Sequence, residues 1–261
     1  SPVIEAGVPN YWLAAATAEG LVTVDPSGEV APALATSWEQ TDPTTYVFTI
    51  DDGAVFQDGS PLTVEDVLAS IEAARDPEIS PSIVTWGNVD TVEQTGDWEI
   101  TITLASPDAS FIYGPSSSAG LFVFPASYWE SAGAALGTAE ALPVGTGPYR
   151  VVSFSPDSNI TLEASEHWDG EAAGYRTLSF DVVPNENTRL LALQSGDVNL
   201  SLSVPTQQID QWRSDPALEV TTIEDRSYVG LTFDTAVAPF DDENVRAAVA
   251  HAFDREAVVE Q

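Results

Sequence analysis

The sequence predicts an α/β fold with an inserted α+β subdomain, and three features lead to this prediction. Stretches of alternating apolar and polar residues, typical of strands, recur between stretches with helical spacing. Residues 143–148 hold two prolines and two glycines, which fix a tight turn because proline presets φ and glycine permits positive φ. No repeat, low-complexity tract or long linker interrupts the chain. The turn therefore marks a corner between two parts of a domain.

The first half of the chain shows two strands with a helix between them. Apolar residues alternate with polar ones in residues 46–50 and again in residues 98–104, and the second stretch is expected to bury Trp98. Thr63 is the predicted N-cap of the helix, with Asp66 at the third helical position as its capping partner. The apolar residues of this helix recur at helical spacing: Val64, Val67, Leu68 and Ile71. Together these elements predict an α+β subdomain.

Further elements are predicted on both sides of this subdomain. A helix runs from Leu13 to about Glu19, where Gly20 ends it. Beyond the corner, alternation predicts strands at residues 149–154, 160–164, 178–183 and 229–233. Asn185 is the predicted N-cap of the next helix, which Gly196 ends, and Asp241 or Asp242 is the N-cap of the last helix. The last helix carries an apolar stripe: Val245, Ala248, Val249 and Ala252.

Composition excludes several classes of protein and site. Of the 261 residues 43% are hydrophobic, which suits a globular protein with a core. No apolar run approaches the roughly eighteen residues of a membrane span. Cysteine is absent, which excludes disulfides, thiolate metal ligands and cysteine nucleophiles. The eight basic residues are all arginine and stand against 41 acidic ones, so the net charge of −33 disfavours a nucleic-acid partner.

The inventory of reactive residues argues against an enzyme. Lysine is absent, which excludes a Walker A loop, a kinase lysine and a Schiff base. The two histidines, His167 and His251, lie far apart in the sequence without metal-ligand spacing around them. A carboxylate pair would suit a glycoside hydrolase, but 41 acidic residues form close pairs by chance. We therefore predict no catalytic residue, no metal site and no cofactor, with a secreted glycoside hydrolase or other hydrolase as the alternative of a different class.

Six short motifs run in order along nearly the whole chain. They are EGLV at residues 19–22, PALATSWE at 32–39, FQDGSPLTVEDV at 56–67, PVGTGPYR at 143–150, LALQSGDV at 191–198 and NVR to DRE at 244–256. In this order they resemble the motifs of the extracellular solute-binding proteins of ABC importers. The resembling family, family 5, captures oligopeptides, dipeptides and nickel.

The resemblance implies an architecture for the chain. It implies a two-lobe periplasmic-binding-protein-like fold (type II, cluster C), of which this chain supplies the first lobe. Residues 1–30 and 147–235 are then expected to share the core sheet of that lobe, and residues 31–146 to form the inserted α+β subdomain. Residues 236–261 are expected to begin the second lobe, whose remainder lies outside this sequence.

The resemblance also implies a function, partners and a location. The protein is expected to capture a solute in a cleft between the lobes and deliver it to an ABC permease in the membrane, without catalysis. Oligopeptides or dipeptides are the expected solutes, with an oligosaccharide or nickel as alternatives. The protein is expected to be a monomer outside the cell, lipid-anchored through a cysteine upstream of this sequence, or to lie in the periplasm of a Gram-negative bacterium.

Aromatic and polar residues of predicted loops are the candidate ligand-binding residues. Asn10, Tyr11 and Trp12 precede the first helix, and their flat faces and hydrogen-bonding groups suit a ligand. We predict that Tyr11, Trp12 and Trp86 are partly exposed and border one concavity. The hydroxyl and backbone groups of Ser201 and Ser203 suit pairing with a peptide main chain. The remaining candidates are Gly87, Tyr228 and Thr232, whereas five tryptophans are predicted to pack: Trp38, Trp98, Trp129, Trp168 and Trp212.

Overall fold

The structure is a computed structural model that describes residues 8–76, 86–117, 120–132, 138–222 and 230–254. The chain forms two compact units, Ser1–Asn185 and Glu186–Gln261. Within the described ranges, no helix has the length and apolar character that crossing a membrane requires.

The first unit contains most of the regular structure. Its strands are β1 (Val22–Val24), β2 (Val30–Pro32), β3 (Ala35–Asp42), β4 (Thr45–Ile50), β5 (Val89–Gly96), β6 (Glu99–Leu104), β7 (Tyr149–Ser155), β8 (Asn159–Ala164) and β9 (Thr177–Asp181). Its helices are α1 (Val8–Thr17), α2 (Val64–Arg75) and α3 (Ala126–Ala132). The second unit has α4 (Glu186–Ser195), α5 (Ile209–Arg213) and α6 (Glu243–Ala252).

An antiparallel sheet with the strand order β3-β4-β6-β5 lies at the centre of the first unit. Its register places Phe48 opposite Ile100, and both side chains are fully buried. Val67 and Ile71 of α2 belong to the same buried cluster, because the helical spacing puts them on one face. The alternating strands and the amphipathic helix predicted from the sequence are therefore confirmed.

The predicted N-terminal cap of α2 is also confirmed. Thr63 Oγ1 accepts a hydrogen bond from Asp66 N at 3.3 Å, and Asp66 Oδ2 accepts one from Thr63 N at 2.8 Å. This reciprocal pair is a capping box, which satisfies two backbone donors that the helix cannot satisfy itself. The helix therefore begins where its local sequence predicts.

The corner at residues 143–148 leads into a second antiparallel sheet, β7-β8-β9. The predicted strands at 149–154, 160–164 and 178–183 are observed here with ends shifted by up to two residues. The corner itself contacts the end of α1, where Gly147 N donates to Thr17 O at 3.1 Å. The corner therefore packs on the first helix, but the predicted turn chemistry is wrong in one respect, because neither Gly145 nor Gly147 has a positive φ.

The division of the chain into lobe and subdomain stays a prediction. In the described residues of the first unit, β1 pairs with β2, and β7–β9 form their own sheet. The core sheet expected for residues 1–30 and 147–235, the subdomain boundaries at 31–146 and the second lobe from 236 all remain expectations.

Two predictions about local structure are wrong. The helix α1 begins at Val8 instead of Leu13, so the backbone of residues 10–12 is helical and not a loop. Pro9 does not prevent this, since proline is tolerated in the first turn of a helix. Trp98 is half-buried rather than buried, because it lies in the turn before β6 begins at Glu99.

The second unit departs from prediction at one strand, whereas its last helix begins where the sequence predicts. Residues 230–233, the described part of the strand predicted at 229–233, are not in a strand, and Leu231 is 60% exposed. Asp242 caps α6 as predicted, accepting from Asn244 N at 2.8 Å. No described residue of α6 is buried, and Val245 and Val249 are only half-buried.

Candidate functional site

A half-buried glutamate lies where the end of α1 meets the glycine-rich corner. Glu19 N donates to Thr146 Oγ1 at 3.3 Å, which places the Thr146 hydroxyl beside Glu19. Glu19 O accepts from Val123 N at 2.9 Å. Two segments that are distant from Glu19 in sequence therefore hold this residue in place.

The surroundings of Glu19 favour its protonated form. Burial raises the pKa of this carboxyl from its ordinary value of 4.5 to about 7, because desolvation penalises the charged form. The hydrogen bond from Thr146 opposes this rise in pKa, and the negative charges of Asp169 and Asp51 add to it. A carboxyl that changes charge near neutral pH is typical of functional sites.

The second unit contains a concavity of about 500 Å³. Trp212, which is 2% exposed, lies at its base and donates through Nε1 to Gln208 Oε1 at 3.3 Å. The lining combines aliphatic side chains, among them Leu200, Val204, Leu218 and Val220, with about as much polar surface. The concavity therefore offers both apolar and polar surface to a ligand.

A stretch of backbone without secondary structure borders this concavity. Residues 199–203 belong to neither a helix nor a strand, and Asn199, Leu200 and Ser201 line the concavity. In the described part of the chain, the N–H groups of residues 199–203 form no backbone hydrogen bond. Ser201 Oγ donates to Ser203 O at 2.7 Å, which uses one carbonyl of the stretch.

The structure brings few of the predicted site residues together. Ser201 lines the concavity, and Ser203 lies two residues farther along and is exposed. Gly87 and Thr232 are exposed as well. Tyr228 and the side chains of Asn10, Tyr11 and Trp12 lie outside what the structure describes, so their roles stay predictions.

The prediction of a partly exposed Trp86 is wrong. Trp86 is 1% exposed and belongs to the core cluster of the first unit. Its ring packs edge-on against Phe111, with 5.9 Å between ring centroids and 88° between the ring planes. Among the described residues its Nε1 has no hydrogen-bond partner. A side chain enclosed in this way does not contact a solute, so Trp86 does not border a concavity with Tyr11 and Trp12.

Sequence reasoning missed Glu19 and Thr146. Both occur in quoted motifs, Glu19 directly before Gly20 and Thr146 between the two corner glycines. A carboxyl and a hydroxyl beside glycines were the features of the sequence that could have identified these two residues. In the described ranges, no three histidine, aspartate or glutamate residues are grouped to hold a metal ion.

Comparison with known proteins shows similarity along most of the chain. The family model described as "Bacterial extracellular solute-binding proteins, family 5 Middle" matches residues 29–261. Heme-binding protein A of Haemophilus influenzae is 30% identical over 260 residues, which cover 90% of this chain and 46% of that protein. Probable di/tripeptide-binding protein 5 of Pseudomonas aeruginosa is 28% identical over 251 residues, which cover 87% and 47%.

The fold is similar to that of solved solute-binding proteins. The oligopeptide-binding protein AppA of Bacillus subtilis, in complex with a nonapeptide, matches with a TM-score of 0.85 at 24% identity, over 100% of this chain and 52% of AppA. The chain thus spans about half the length of the curated relatives it matches. The predicted fold class, a partial α/β lobe of the periplasmic-binding-protein type, is confirmed. These relatives are binding proteins, and the chain belongs to the bacterial extracellular solute-binding proteins of family 5.

Proposed function

We propose that this chain captures oligopeptides or dipeptides outside the cell and delivers them to the permease of an ABC importer. One observation carries the choice of peptide: the backbone of residues 199–203 lies beside a concavity, and its N–H groups form no backbone hydrogen bond in the described ranges. A peptide main chain offers matching donors and acceptors at regular spacing, which a sugar or a metal ion does not.

The aliphatic side chains in the lining of the concavity support the same choice. Main-chain hydrogen bonds give affinity that is independent of peptide sequence, while shallow apolar surfaces accept varied side chains. Leu200 and Leu218 supply such a surface beside Ser201. Relatives support the choice as well, because one is named as a di/tripeptide-binding protein and AppA was solved with a nonapeptide.

In the first unit, Glu19 is the proposed polar contact to solute. Its carboxyl changes charge near neutral pH, so it can accept a hydrogen bond or carry a charge as the solute requires. Asn10, Tyr11, Trp12, Tyr228 and Thr232 remain proposed contacts on the sequence argument alone.

Three other solute classes have specific support and remain alternatives. Haem is named for the relative that is 30% identical. An oligosaccharide would stack on aromatic side chains such as Tyr11 and Trp12. Nickel belongs to the solute classes of the resembling family. A hydrolase is the alternative of a different class, and a turnover assay on peptide and glycoside substrates separates it from a binding protein.

The proposed mechanism is closure of two lobes on the solute. Solute binds to one lobe, hinge motion brings the second lobe over it, and the closed form docks on the permease. A monomer suffices for this cycle. The family is extracellular or periplasmic, and we propose anchoring to the membrane through a lipid on an upstream cysteine.

Native mass spectrometry of the protein as purified from its host tests the proposed solute. The expected result is an excess mass that is released on denaturation and fragments into amino-acid residues. Haem, hexose or nickel masses in its place would contradict the proposal. The protein with Ser201→Ala serves as a comparison, because loss of the excess mass in this variant assigns the solute to the concavity.

A further inference from the structure

The Gln57 side chain is buried between the end of α1 and the corner and is 8% exposed. Its Nε2 lies 2.7 Å from Thr17 O, 3.0 Å from Gly147 O and 2.6 Å from Tyr149 O. Its Oε1 accepts from Gly145 N at 3.1 Å, and its backbone N donates to Gly145 O at 2.9 Å. One amide therefore joins the first helix, the corner and the first residue of β7.

Two glycines allow this close approach of the corner to α1. A Cβ added at Gly147 would lie 2.8 Å from Thr17 C and 2.9 Å from Ala18 N, and one added at Gly145 would lie 2.9 Å from Ala18 Cβ. These distances are shorter than real Cβ contacts, so the corner rests directly on the helix backbone. Thr146, between the two glycines, is held where its hydroxyl meets Glu19.

We propose that Gln57 is a positioning residue for the candidate site: it fixes the corner that presents the Thr146 hydroxyl to the Glu19 carboxyl. The hydrogen bonds of Gln57 reach both backbones that enclose Glu19, the end of α1 and the corner. Among the described residues, the charged groups that act on Glu19 are the carboxylates of Asp51 and Asp169. The protonation of Glu19 therefore depends on the Thr146 hydrogen bond and on how closely the corner excludes water.

This inference rests on the proposed function in taking Glu19 as a contact to solute. Its test, however, follows the titration of Glu19 in the absence of solute. A failed titration test would leave the proposed function standing, and a failure to find bound peptide would leave the titration result unchanged.

The experiment is an NMR titration of the protein with ¹³C-labelled glutamate side chains, with the Glu19 signal assigned by its loss in Glu19→Gln. Thr146→Val removes the hydroxyl at nearly constant volume, and the pKa of Glu19 is expected to rise by about one unit because its hydrogen bond to the charged form is lost. Thr146→Ser keeps the hydroxyl and should restore the wild-type pKa.

Gln57→Met keeps the length of the side chain but removes its hydrogen bonds. It is expected to lower the pKa of Glu19 by about one unit toward the ordinary value, because a loosened corner admits water to the carboxyl. The matched control is Gln94→Met, which removes an exposed amide that also donates to two carbonyls, those of Gly96 and Asp97. This control should leave the titration of Glu19 unchanged.

Opposite shifts for Thr146→Val and Gln57→Met would support the proposal. An unchanged pKa of Glu19 in a folded, destabilised Gln57→Met protein would overturn it and leave Gln57 with a purely structural role. If that variant fails to fold, Gln57→Asn replaces it, since the shorter amide cannot reach Thr17 and Tyr149 together. The same decrease is then expected, and its absence would equally overturn the proposal.

Discussion

Asp66 Oδ1 accepts a hydrogen bond from Ala126 N at 2.7 Å, across 60 residues of sequence. The other oxygen, Oδ2, accepts from Thr63 N at 2.8 Å and from Thr63 Oγ1 at 2.7 Å. Asp66 is 8% exposed, so neither oxygen has ready access to water as a substitute partner. One carboxylate therefore completes the cap of α2 and satisfies the first N–H of α3.

Replacement of Asp66 by alanine is expected to destabilise the protein by about 2 to 3 kcal/mol. The estimate combines the loss of a helix cap with the loss of a hydrogen bond from a buried backbone donor to a charged acceptor. Urea unfolding followed by circular dichroism measures the change. Glu65→Ala is the control, since Glu65 is an exposed acid in the same first turn and its loss should cost well under 1 kcal/mol. Equal costs for the two variants would show that the contact with Ala126 contributes nothing.

Glu19→Gln is expected to change how stability depends on pH. The folded-state pKa of Glu19, about 7, lies above its ordinary value of 4.5. The stability gained from the protonated form is therefore complete below about pH 4.5 and is lost as pH rises through about 7. Glutamine stays neutral, so the variant should be more stable than the wild type at about pH 8 by on the order of 2 kcal/mol, with little difference at about pH 4.

Thermal unfolding at both pH values measures this difference. An exposed glutamate changed in the same way, Glu39→Gln, should show no such divergence from the wild type. If Glu19→Gln and the wild type keep a constant difference across the range, the Glu19 carboxyl is not desolvated in solution.

We expect the free energy of unfolding to fall in acid, because aspartates in several exposed loops become protonated. Hydrogen bonds from the residue two positions later lower the pKa of five aspartates: Asp25, Asp42, Asp58, Asp108 and Asp215. Each lowered pKa contributes stability that is present above the ordinary value of 3.8 and is lost as pH falls through the folded-state value. We expect the urea midpoint to fall between about pH 5 and pH 2.

This acid titration needs enough salt to screen the net charge of −33, because protonation also relieves repulsion between carboxylates. Ser60→Ala removes a donor to Asp58 Oδ1, which accepts from Ser60 Oγ at 2.6 Å, and it should reduce the acid dependence. A urea midpoint that rises on acidification at high salt would contradict the assignment of these loops as acid-sensitive.

The corner should tolerate no side chain at Gly147. An added Cβ would meet the backbone of Thr17 and Ala18, so Gly147→Ala forces the corner away from α1 and is expected to cost roughly 1 to 3 kcal/mol or more. Gly174→Ala is the matched control, because nothing lies within 4 Å of a Cβ built there. Chemical unfolding of both variants measures the two changes in the free energy of unfolding. Equal stabilities would mean that the corner is not packed on the helix.

The parts of the fold that could be read from sequence are those fixed by neighbouring residues. The Thr63 cap and the alternation of β4 and β6 follow from local spacing, and the structure has both of them. The carbonyl groups that hydrogen-bond the Gln57 side chain lie 40, 90 and 92 residues away in sequence, and no local pattern predicts them.

The candidate site was predicted less well for the same reason. Trp86 follows a polar loop in sequence, and only its contact with Phe111 in the folded chain makes it a core residue. Glu19 has an ordinary sequence context, and its raised pKa comes from burial against the corner. Ser201 was predicted from the hydroxyl and backbone groups that it offers to a peptide main chain; it lines the concavity, and its role stays a prediction.

The most direct test of peptide capture is calorimetry with three probes: a set of alanine peptides from two to eight residues, cellotetraose, and nickel chloride with histidine. We expect at least one peptide length to bind, with a negative heat-capacity change from burial of apolar surface. Ser201→Ala and Leu200→Asp should each weaken this binding, whereas Ser214→Ala, a change to an exposed serine that does not line the concavity, should not. Binding of cellotetraose or nickel without binding of any peptide would contradict the proposed function.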